Sequence, residues 1–144
     1  MSFFSNARKR HLQLGRRGEN LACKLLRAQH YDLLCRNFKV KSGEIDIVAR
    51  KDAMLIFVEV KSRRHTALRR PSANLSLTQK RRIYRASQRY LREIGNPEVA
   101  FRFDLIELLL KRFSAVEIKH WEGHFTSRDL KDPKFKSFDY TVVP

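Results

Sequence analysis

Residues 43–61, GEIDIVARKDAMLIFVEVK, place two acids and a lysine inside segments that otherwise read as the buried strands of a β-hairpin. Asp46 stands between Ile45 and Ile47. Glu59 and Lys61 close a run, begun at Met54, that is too continuously apolar for a strand with one wet face. Charge at such positions is costly unless something compensates it. Two converging carboxylates are compensated by a divalent cation, Mg²⁺ or Mn²⁺: hard cations take oxygen ligands, and their charge removes the penalty of ionising both acids.

Counting through the hairpin gives the geometry. A four-residue loop from Arg50 to Ala53 sets Ala49 against Met54 and Asp46 against Phe57, one pleat step from Glu59. Asp46, Glu59 and Lys61 then share one face, and any even-numbered loop preserves that result. The same pattern also suits edge strands in which Glu59 and Lys61 form a plain ion pair.

Charge over the whole chain favours a polyanionic partner. There are 31 Lys and Arg against 15 Asp and Glu, a formal net charge of +16. From Lys61 to Arg92 eleven residues are basic and none is acidic, and the first seventeen residues hold Arg8, Lys9, Arg10, Arg16 and Arg17 with no acid. Nucleic acid is the expected partner, although ribosomal and membrane-surface proteins can carry the same balance, so the charge names a polyanion and not a reaction. No stretch is apolar enough for a membrane span or a signal peptide, so no membrane partner is expected and the profile is cytoplasmic. Cys23 and Cys35 lack a CxxC spacing and read as reduced thiols.

The 144 residues fit one domain, with a basic arm over about 1–14 and a loosely held tail over about 123–144. Residues 11–30 carry Leu14, Leu21, Ala22, Leu25 and Leu26 at helical spacing, with Glu19 on the border of that stripe, either turned toward a site or paired with Arg16 or Lys24. A strand over Leu33 to Lys39 precedes the hairpin. A second helix runs from Leu77 to Ile94, stopped by Gly95 and Pro97, with an apolar stripe of Ile83, Ala86, Tyr90 and Ile94. Its Arg81, Arg85, Arg89 and Arg92 make a basic ridge, and Arg63, Arg64, Arg69 and Arg70 populate the loop that leads to it, as a substrate-gripping segment. Gln79 and Lys80 stand at the helix N-terminus, which favours anions. Phe101 to Leu110 is a later strand, and Ala115 to Trp121 pairs with it. Arg102 and Asp104 share a strand face as a structural ion pair. His120 and His124 have HxxxH spacing without a third metal ligand.

Five ordered motifs resemble those of the YraN family: GxxGExxA at Gly15 to Ala22, GEIDIVA at Gly43 to Ala49, FVEVKSR at Phe57 to Arg63, LTQKRR at Leu77 to Arg82, and RFDLI at Arg102 to Ile106. That bacterial family is placed in the PD-(D/E)XK nuclease-like superfamily, close to archaeal Holliday-junction resolvases. The resemblance implies an α/β fold with a restriction-endonuclease-like core, a mixed central sheet flanked by helices in the order αβββαβ. It implies Asp46, Glu59 and the Val60 carbonyl as metal ligands, Lys61 as the motif lysine and Glu19 as an additional helix acid. The expected function is a metal-dependent endonuclease acting on DNA, branched DNA included. The alternative is a non-catalytic nucleic-acid-binding protein that keeps the fold, and homodimerisation is left open.

Overall fold

The computed structural model describes residues 3–66, 68, 71 and 74–130. Arg69 and Arg70 lie outside the described residues, as does the tail beyond residue 130. Leu21, Ala22, Leu25 and Leu26 turn toward the sheet from helix α1 (Phe3–Ala28), which begins earlier than the apolar stripe predicts. The expected basic arm therefore forms the opening turns of α1. The helix ends in a Schellman motif: His30 adopts a φ of 64° while its amide bonds Arg27 and that of Tyr31 bonds Leu26.

Strands β1 (Asp32–Val40), β2 (Gly43–Lys51), β3 (Met54–Arg64), β4 (Ala100–Leu110) and β5 (Ala115–Phe125) lie side by side in that order as one sheet. Only β3 and β4 are parallel, and helix α2 (Leu77–Glu93) is the crossover between them. Ser76 caps α2, accepting from the Gln79 amide while the Gln79 side chain accepts from the Ser76 amide. At the other end Gly95 takes a φ of 90°, and the Asn96 amide reaches back to Leu91. The architecture is the α/β mixed sheet with flanking helices that a restriction-endonuclease-like core requires.

The helices cover opposite faces of the sheet. Ala22, Cys23 and Leu26 of α1 pack with Ile47, Ile56, Val58, Ile106 and Leu108. Ile83, Tyr84 and Leu91 of α2 pack with Phe57, Phe101, Phe103 and Phe125. The α2 stripe is wider than expected: Ile83 and Ala86 are buried and Tyr90 packs on the core, joined by buried Tyr84 and Leu91, whereas Ile94, the C-cap, is 45% exposed. The tail expected from Gly123 onward is instead well packed as far as Leu130. Phe125 stacks on Phe103 with centroids 4.6 Å apart, and Leu130 is fully buried in a 3₁₀ turn.

Two departures from regular pleating shape the site. Asp52 adopts a φ of 53°, which Asp tolerates, so the β2–β3 turn needs only two residues and Lys51 rather than Ala49 faces Met54. The register shifts by two residues, and its even parity survives. Further along β2, Ile47 belongs to the α1 side and Ile45 to the α2 side, so alternation breaks at Asp46. On β1 the bracketing pairs Arg36 with Ile47 and Phe38 with Ile45 enclose Asn37, whose φ is 53°. The distortion is shared by both strands.

Candidate active site

The β2–β3 pairing ends at Ile47 and Val58, just before the acids. Where a ladder bond would follow, the Val60 amide donates instead to Asp46 Oδ2 at 2.7 Å. That bond fixes one oxygen of a carboxyl that is 6% exposed. Glu59, half-buried on the facing strand, lies close enough for the two carboxyls to shift each other's titration. Burial is the main cause that pushes both acids up; the Asp46 charge pushes Glu59 further, and the Val60 bond partly opposes the rise at Asp46. Two carboxyls this close share a proton more readily than they both ionise.

Other charges converge on the pair. Glu19 of α1 is close enough to raise Asp46, and its carboxylate also lies 3.7 Å from Arg36 of β1. Its partner is therefore neither Arg16 nor Lys24. Gly18 makes this approach possible, since a Cβ there would fall 1.5 Å from Ser62 Oγ of β3. Glu44 raises both acids as well, and with Glu59, Gln79 and Arg82 it lines a cleft of about 220 Å³ between β2 and α2. Lys61 Nζ donates to the Asn74 carbonyl at 2.6 Å. Burial and the neighbouring Arg63 push the Lys61 ammonium down, while Glu59 and Glu107 push it back up. The result is a net-acidic pocket in a strongly basic chain.

A model of the uncharacterised protein family UPF0102 matches residues 18–108. A UPF0102 protein of Syntrophotalea carbinolica is 42% identical over 114 residues, 79% of this chain and 92% of that protein. A UPF0102 protein of Geotalea daltonii is 38% identical over 112 residues, 78% and 88% of the two chains. One from Desulfosudis oleivorans is 37% identical over 106 residues, 74% and 85%. The chain belongs to the UPF0102, or YraN, family. The matched span holds Glu19, Asp46, Glu59 and Lys61, so the site lies within what this YraN chain shares with its relatives.

The basic residues picked from the sequence are more dispersed. Arg81 donates to the Leu130 carbonyl at 3.1 Å, tying α2 to the 3₁₀ turn, and Arg89 pairs with Glu93 at 3.0 Å. Arg85 is exposed between them, so the ridge is not a uniform row. Arg63 points toward the α2 side, 3.8 Å from buried Glu107, whereas Arg64 lines a groove against α1. Lys80 lies 5.9 Å from the centroid of the Phe125 ring.

Arg102 and Asp104 do form the expected ion pair, with bonds of 2.7 and 2.8 Å. Asp104 also meets His120 Nε2 at 2.7 Å and accepts from the Gly123 amide at 2.9 Å, and in this YraN chain His120 and His124 lie on strand β5 rather than on the helix that an HxxxH metal pair uses. Glu44 and Arg82 are the site residues sequence reasoning passed over. Glu44 carries no sequence signal of its role, because the regular alternation that would link it to Asp46 is broken at Asp46.

Proposed function

We propose that the chain is a metal-dependent endonuclease that hydrolyses phosphodiester bonds in DNA, branched DNA included, in the cytoplasm. The observation that carries this reading is the placement of the Asp46 and Glu59 carboxyls on facing strands, one buried and one half-buried, each pushed up chiefly by burial. Such a pair destabilises its own fold at neutral pH unless a cation neutralises it. The donor set suits a hard ion, since Asp46, Glu59 and the Val60 carbonyl offer oxygen alone. Among the described residues no three His, Cys, Asp or Glu side chains form a metal cluster, and water would complete the shell, as Mg²⁺ favours.

Bound there, Mg²⁺ or Mn²⁺ supplies Lewis acidity toward a phosphodiester oxygen and a lowered pKa for water. The side chains do the rest. Val60 N–H holds Asp46 in one orientation, and Glu59 surrenders its proton as the ion enters, so binding releases protons. Lys61, two residues beyond Glu59 on the same strand, directs its ammonium to the extra negative charge of the transition state. The Asn74 carbonyl takes one of its three donors and fixes its place. Arg82 and Gln79, in the first turns of α2, offer donors to a phosphate in the cleft, where the helix N-terminus also favours an anion.

A panel of linear, nicked, single-stranded and four-way DNA with Mg²⁺ or Mn²⁺ tests the proposal. Cutting of at least one substrate is expected, with Asp46→Ala, Glu59→Ala and Lys61→Ala each lowering it at least about a hundredfold, about 2.7 kcal/mol of transition-state stabilisation. Tight binding without cutting on every substrate would return the chain to the binding-protein reading.

A further inference from the structure

The far end of β3 carries a second concentration of charge that the carboxylate cleft does not use. β3 and β4 end side by side at Arg64 and Leu110, and the His65 amide extends the ladder by donating to the Leu110 carbonyl at 2.9 Å. Between these ends and the first half of α1 runs an open groove of about 740 Å³. Its cations are Arg10, Arg17, Arg64, Lys111 and Arg112, contributed by α1, β3 and the β4–β5 turn, and no acid is among the described residues that line it. By contrast, Arg50 meets Asp32 at 2.6 Å and Arg89 meets Glu93 at 3.0 Å.

The groove is also preorganised. Arg17 Nη1 donates to the carbonyls of Lys111 and Arg112, the second at 3.0 Å, which locks one guanidinium onto the wall. Ordering it in advance lowers the entropy lost when an anion binds. The Arg112 guanidinium lies 5.1 Å from the ring centroid of Phe113, which is 87% exposed at the turn. Like charges gathered from three elements repel, and an anion spread along them removes that repulsion.

The spacing selects the anion. Arg64 lies five residues beyond Glu59 on the same strand, about 16 Å at ~3.3 Å per residue. Arg64 and Glu59 face opposite sides of the sheet, so the nucleic acid passes around the end of β3, and a backbone with phosphates every ~3.4 Å supplies charge to the groove and to the cleft at once. A single small anion cannot span that distance. We propose that this groove holds the phosphate backbone of a duplex arm of the same nucleic acid whose phosphodiester sits at the carboxylate cleft. The inference rests on the nucleic-acid reading of that site and extends its footprint around the end of β3.

Equilibrium binding of the full chain to duplex DNA over a salt series, in chelator, tests it without depending on cleavage. Arg10→Ala/Arg112→Ala removes two exposed groove cations and spares Arg17, and it is expected to reduce the slope of log affinity against log salt by roughly 1.8. Lys24→Ala/Arg27→Ala removes the same charge from exposed positions outside the groove lining and is expected to leave the slope nearly unchanged. Thermal melts check that both variants fold. An unchanged slope in the groove variant, or equal flattening in both variants, overturns the groove while leaving the cleavage reading intact. A wild-type chain without salt-dependent DNA binding overturns both.

Discussion

Glu59 sits midway along β3, directly after the buried Leu55, Ile56, Phe57 and Val58, and its proton decides how the metal-free protein responds to pH. Burial first and the Asp46 charge second push it from 4.5 up to about 9. The folded state therefore holds a proton that the unfolded chain releases through this interval. Its contribution is complete below about pH 4.5 and is lost as pH rises toward about 9. In chelator, the stability of the wild type is expected to fall between about pH 5 and about pH 8, with a slope approaching ~1.4 kcal/mol per pH unit for one proton. Glu59→Gln should flatten that slope, as read by denaturant titrations at several pH values; a slope unchanged by the substitution would show that Glu59 ionises normally in the fold. Asp46, Glu59 and Lys61 are legible in the sequence because each interrupts an apolar strand. Glu44 is not, since after Lys41, Ser42 and Gly43 it reads as part of a turn. Nor are the His120 and Gly123 partners of Asp104, which depend on a register between strands joined by an irregular ladder.

At the level of elements, two glycines should respond oppositely to the same substitution. Gly43 opens β2 against α2, where an added Cβ would lie 2.0 Å from the Arg82 carbonyl oxygen, and backbone cannot step aside as a flexible side chain can. Gly15 lies inside α1 with nothing within 4 Å of such a Cβ. Gly43→Ala is expected to cost about 1–3 kcal/mol by overpacking. Gly15→Ala is expected to add about 0.5–1 kcal/mol by improving helix propensity. Thermal melts of the two variants read the difference in sign, and a shift in the same direction for both would contradict the packing described. The sequence locates both α-helices and the five strands, because periodicity reports burial, but not the short 3₁₀ turn that buries Leu130. It places the start of α1 too late, since residues 6–13 of that helix are exposed and carry no apolar stripe. The two-residue turn at Asp52 and the extension of β5 to Phe125 escape it for a related reason. The first rests on one left-handed residue, and the second on a ring stack between distant strands.

The whole molecule joins an acidic cleft to a basic surface, and none of its described helices is long and apolar enough to cross a membrane. A formal charge of +16 favours a polyanionic partner, and in the proposed function a cation mediates between that partner and the carboxylate cleft. The sequence conveys the net charge fully, but not its partition, because pairs such as Arg89 with Glu93 and ties such as Arg81 to Leu130 form only in three dimensions. The central claim is that Asp46 and Glu59 hold a divalent cation, and thermal stability over a titration with Mg²⁺ or Mn²⁺ measures it most directly. The wild type should gain about 2.7 kcal/mol at a metal concentration a hundredfold above Kd, with protons released on binding. Asp46→Asn/Glu59→Gln should be more stable than the wild type in chelator and gain nothing from metal. An equal metal-induced gain in the wild type and this variant, or none in either, would contradict the claim.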